Sequence, residues 1–148
     1  MDAVKEFRSA QADLTELSLR RRPPAERQID LGVDLVDSFS KMSEENRQIV
    51  QSNMAESSIG NKVLGLSGYL AEVAINKNDP AILRLAVMLH AVEGFLTDYR
   101  ENIRYLVLIC YACKKLHVIM DDIIVPARAI GSTLVRQRLE EFRIGRMN

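Results

Sequence analysis

Cys110, Cys113 and His117 form the sharpest chemical pattern in the chain, because they recur at i, i+3 and i+7 and share one face of a continuous helix. Two thiolates and an imidazole are zinc-type ligands, and Cys-x-x-Cys is also a redox spacing. Zinc requires a fourth ligand and convergence on one point, which an unbroken helix does not supply without distortion. A redox thiol requires a helix N-terminus to lower its pKa, and these cysteines lie deep within a helical pattern. Lys114 follows Cys113 where c-type haem attachment would need histidine. The preferred reading makes both cysteines small core residues and places His117 near a helix C-terminus, where its charge suits the dipole.

His90 and Glu93 lie one helical turn apart and suggest a buried acid and base pair, with Glu72 as a third member. A carboxylate-bridged diiron centre would need Glu-x-x-His on two helices, whereas this chain has His-x-x-Glu once and two histidines in all. Asp30, Asp34 and Asp37 form an acidic helical row, read as a solvated face rather than a magnesium site. Gly60, Gly65 and Gly68 resemble a phosphate-binding loop in composition only, since Leu66 and Ser67 stand where Lys and then Ser or Thr are required. Ser67 also lacks the flanking glycine and preceding strand of a nucleophile elbow. Close packing of helix backbones is the expected use of these glycines. Arg84, Glu93, Asp98, Arg100 and Arg104 are expected to cluster as an ion-pair network or to line a groove for a charged peptide. No catalytic residue, metal or cofactor is assigned.

The elements that must position these residues are helices. Val4, Phe7, Leu14 and Leu17 recur at helical spacing over 2–19, and Pro23 and Pro24 end that segment. A helix over about 25–42 carries Ile29, Val33, Val36 and Phe39 on its apolar face. Ser43 followed by Glu44 and Glu45 reads as an N-cap opening a helix to about 56, with Ile49, Val50 and Met54 toward the core. After a turn at 57–61, Val63, Leu66, Leu70, Val73 and Ala74 mark a helix ending near Asn76. Asp79 caps a helix beginning at Pro80 that is apolar on nearly every side, from Ile82 to Phe95, and is therefore central. Asp98 and Glu101 form a capping box for a helix through Ile103, Leu106, Val107, Ile109, Cys110, Cys113 and Leu116. Pro126 is placed to start a last helix over about 127–143, with Ile130, Leu134, Leu139 and Phe142 inward.

Residues 44–76 and 80–116 thus share a plan of helix, short turn and helix. In element order and apolar pattern this half of the chain resembles two HEAT-like helix pairs. The resemblance implies stacked helix pairs and a protein-binding surface, and it carries no functional residues with it.

Length and composition bound the remainder. A chain of 148 residues, 47% apolar and 27% charged, has the balance of one globular domain. Twenty basic residues offset twenty acidic ones, so no overall field recommends nucleic acid or an anionic membrane. Arginine outnumbers lysine fourteen to six, which suits contacts to carboxylate or phosphate groups. The longest apolar run, Tyr105 to Cys113, is nine residues, well short of the roughly 20 that span a bilayer. An acidic start without a signal-type core, and two cysteines too close to staple distant segments, point to the cytoplasm.

These observations lead to an all-α fold of about six helices in stacked antiparallel pairs, as a bundle or a short HEAT-like superhelix. It forms one domain over 1–148, with 1–22 as a peripheral helix. The expected function is non-enzymatic protein binding, as an adaptor or a masking protein. Val4, Phe7, Leu14, Leu17, Arg128, Arg136, Arg138 and Arg143 are its expected partner-binding residues. Self-association is an open option because the end helices leave apolar faces to cover. The alternatives are a metal- or ligand-binding protein using Cys110, Cys113 and His117 or His90 and Glu93, and nucleic-acid or phosphate binding through Arg20 to Arg22 and the C-terminal arginines.

Overall fold

Ser43, Asn78, Asp79 and Pro80 punctuate the described chain, and helices begin or end at them. The computed structural model describes residues 3–10, 24–55, 65–96, 99–119 and 133–147, and these form seven helices with no strand among them. We number them α1 (3–10), α2 (Ala25–Lys41), α3 (Glu44–Ala55), α4 (Leu66–Lys77), α5 (Pro80–Leu96), α6 (Tyr99–Lys115) and α7 (Thr133–Met147). The expected all-α class is observed. Leu14, Leu17, Arg20 to Arg22, Gly60, Asp98, Pro126 and Arg128 lie outside the described residues.

The boundaries have local causes. Ser43 caps α3 by accepting the Asn46 amide on its hydroxyl at 3.2 Å. Asn78, at φ 51°, ends α4: its amide reaches the Ile75 carbonyl at 3.1 Å while the Asp79 amide reaches that of Ala74 at 2.9 Å. This left-handed stop satisfies two carbonyls that the helix would otherwise leave open. Asp79 then accepts the Ala81 amide at 2.9 Å and Pro80 opens α5, so Asp79 serves both as stop and as start. The turn folds α4 and α5 back on each other.

Helix α5 is the axis of the fold. It packs on α2, α3, α4, α6 and α7, which accounts for its apolar residues on nearly every side. Leu83, Leu85, Ala86, Leu89 and Val92 are fully buried. Helices α2, α4 and α5 also pack mutually. Gly32 permits this approach, since a Cβ there would stand 2.9 Å from Leu70 Cδ1 and 3.5 Å from Leu85 Cδ2. Gly32 in α2 is therefore a close-packing glycine, and Gly68, expected to pack in the same way, is buried in α4. Gly65, expected in that role, instead takes a left-handed φ of 110° at the start of α4.

Two joints extend beyond simple burial. Phe7 of α1 is sealed against Phe39 of α2, with ring centroids 6.0 Å apart and planes tilted by 50°. Arg47 of α3 lies over the Phe39 ring, 5.1 Å from its centroid, and donates to the carbonyls of Phe39 and Ser40, each at 3.3 Å. Its guanidinium thus satisfies carbonyls at the C-terminal end of α2, where a cation is also favoured by the helix dipole. Ile49, expected in the core, is exposed, while its neighbour Val50 is buried. Val50 thus stands inward as the spacing predicts, and Ile49 is the correction to the expected face.

Candidate functional site

The buried acid is real, and another helix supplies hydrogen bonds to it. Glu93 is 0% exposed on α5 and extends to the start of α4. The Ser67 hydroxyl donates to one carboxyl oxygen, and the Ser67 amide donates to the other at 3.3 Å. Gly65 has no side chain with which to cap α4, so Glu93 supplies an acceptor from across the helix interface. Burial pushes its carboxyl up to about 8, against the opposing pull of the Ser67 and Gly65 hydrogen bonds.

Of the expected ion-pair network, Arg84 stands exposed on the same helix while Glu93 is sealed, and the side chains of Asp98, Arg100 and Arg104 lie outside the described residues. Glu72 is part-buried on α4, and burial lowers the pKa of part-buried His90. Ser67 is as sealed as Glu93, and its hydroxyl is engaged by a carboxyl that burial keeps protonated near neutral pH. The arrangement joins two helices and offers no exposed nucleophile.

The cysteine pattern is altered by where α6 ends. His117 adopts a left-handed φ of 55°, its amide reaching Lys114 at 3.4 Å while the Val118 amide reaches Cys113 at 2.9 Å. This is a second left-handed stop. Because the helix ends at Lys115, His117 does not continue the face shared by the cysteines, which corrects the i, i+3, i+7 alignment. Cys113 is buried and Cys110 exposed, both as free thiols. Burial, and next the neighbouring Cys110, raise the Cys113 pKa. Among the described residues, no group of three or more His, Cys, Asp or Glu side chains is placed to hold a metal ion.

The acidic row on α2 has cationic company. Asp37 pairs with Lys41 at 3.0 Å and with Arg143 of α7 at 3.4 Å. Burial, followed by Asp30, raises the pKa of Asp34, while Arg143 and Arg27 act in the opposite direction. Arg143, expected on a partner-binding surface, thus ties α7 to α2. Arg138 pairs with Glu141 at 3.2 Å, and Arg136 is exposed. Val4 is half-buried against the core, and Phe7 is enclosed within it. The surface expected of these two apolar residues is largely internal to the chain.

An exposed apolar surface occurs instead on α6. Ile109, Ala112 and Cys113 face the domain, whereas Val107 is 66%, Tyr111 56% and Leu108 37% exposed. Residues 107, 108 and 111 are neighbours at i, i+1 and i+4 on the outward side, with exposed Cys110 beside them. Lys114 and Lys115 continue that side into the last turn. Sequence reasoning missed this surface. Its signal was the nine-residue apolar run Tyr105 to Cys113, which is apolar on both faces where a one-sided helix needs only one.

No helix among the described residues is long and apolar enough to cross a membrane. Comparison with known proteins finds no matching family model, curated protein or solved structure. The class that fold and site define is accordingly an all-helical protein, built around α5 and carrying an exposed apolar helix face.

Proposed function

We propose that this chain is a non-enzymatic helical interaction module, an adaptor or masking protein that binds another protein. The observation that carries the reading is the outward face of α6. Val107, Leu108 and Tyr111 lie exposed on a helix whose opposite face is anchored by Ile109, Ala112 and Cys113. An ordered helix presenting neighbouring large apolar side chains to solvent suits helix-in-groove or helix-on-helix recognition. The sealed state of Ser67 and Glu93 favours binding over catalysis. The packing of α5 on α6 supports one helix pair of a HEAT-like arrangement. The two free thiols fit a reducing compartment such as the cytoplasm.

The test is a double substitution, Val107→Ser with Tyr111→Ser. Both positions are exposed, so the variant keeps its far-ultraviolet circular dichroism and melting temperature. Quantitative affinity capture from the source cells should enrich a specific protein with the original chain and lose it with the variant. Retention of every captured protein by the folded variant would refute the assignment of this face.

A further inference from the structure

We propose that the outward face of α6 receives an acidic amphipathic helix of a partner protein, a commitment that rests on the interaction-module reading above. Charge supplies the argument. No Asp or Glu stands between Glu101 and Asp121, so the whole described length of the exposed face is free of acids. The cations Lys114 and Lys115 adjoin the apolar patch along the same side. Neither has an ion-pair partner among the described residues, in contrast to Lys41, Lys77, Arg138 and Arg143, which are paired with acids at 3.0, 3.6, 3.2 and 3.4 Å.

A partner helix that lays apolar anchors over Val107, Leu108 and Tyr111 brings its flanking residues to these lysines. Acids there gain ion pairs, and bases meet like charge. A second copy of the chain fits less well. In an antiparallel pairing of α6 centred on 107–111, the positions opposite Lys114 and Lys115 fall near Arg104 and Ile103, which supply no acid. The complementary surface must come from elsewhere.

The experiment uses the full chain and two designed helical peptides with one leucine stripe, flanked in one by glutamates and in the other by lysines. Binding is read by fluorescence anisotropy at low and physiological salt. The glutamate-flanked peptide should bind at least tenfold more tightly, and the preference should shrink with salt. Lys114→Glu with Lys115→Glu should invert the preference, while Val107→Ser with Tyr111→Ser should abolish binding of both peptides.

Equal binding of the two peptides, abolished by the serine variant, would overturn the acidic partner and leave the apolar docking face standing. Binding unaffected by the serine variant, or no binding of either peptide, would overturn both. Preferential binding to vesicles of phosphatidylcholine and phosphatidylserine would overturn the proposal in favour of an anionic membrane surface. Concentration-dependent dimerisation lost in the serine variant would overturn it in favour of a second copy.

Discussion

Replacing Glu93 by glutamine separates the burial of this side chain from its ionisation. A carboxyl that ionises near 4.5 in the unfolded chain and at about 8 in the folded one must be neutral for the fold to be most stable. The native state then binds the extra proton between these two values, so stability is full below 4.5 and is lost as pH rises toward 8. At roughly 1.4 kcal/mol per pH unit, the loss reaches about 3 kcal/mol at neutral pH and about 5 kcal/mol in mild alkali. That is a large share of the roughly 5–15 kcal/mol that stabilises an ordinary domain.

Glu93→Gln keeps the shape and a carbonyl acceptor for the Ser67 amide, but it does not ionise. Urea unfolding of both proteins, followed by circular dichroism at pH 5, 7 and 9, yields a difference from which most other titrating groups cancel. The variant should gain on the original chain as pH rises, by about 4 kcal/mol between pH 5 and 9. The opposing influences are the Ser67 hydroxyl, the Ser67 and Gly65 amides and the positive end of α4, all of which favour the anion. A difference constant across this range would show that these donors offset desolvation, one that turns against glutamine in alkali would show that they outweigh it, and either would refute the reasoning.

Arg47→Ala removes two hydrogen bonds to the end of α2 and the cation over Phe39, and should lower stability by about 2 kcal/mol in denaturant unfolding, with Arg47→Lys recovering part of the loss. Gly32→Ala should destabilise by up to about 2 kcal/mol despite better helix propensity, because its Cβ meets Leu70 at 2.9 Å. Gly145→Ala, with nothing within 4 Å of its Cβ, should stabilise α7 by up to about 1 kcal/mol, and thermal melts compare the two directly. A thiol reagent such as dithionitrobenzoate should titrate exposed Cys110 in the native protein and reach buried Cys113 only in denaturant; fast reaction of both thiols would contradict the described packing of α6.

Much of the fold was legible because its signals are local. Ser43, Asp79 and Pro80 act within a few residues of where they stand, so sequence spacing places the helix boundaries they create. The apolar surround of α5 likewise announced a central helix. The ends were less legible where a stop is a backbone conformation: the left-handed turn at His117 breaks a side-chain alignment that a continuous helix would have kept.

Sequence by itself thus determined the all-helical class, most helix boundaries and the central place of α5, since propensity, capping and periodicity are properties of short segments. Only tertiary structure decided what each face meets. It joined Glu93 to Ser67, 26 residues away, and Arg143 to Asp37. It enclosed Phe7 and left Val107 and Tyr111 in solvent. Periodicity marks an apolar face without saying which element covers it, and α6 has two such faces while the domain covers one.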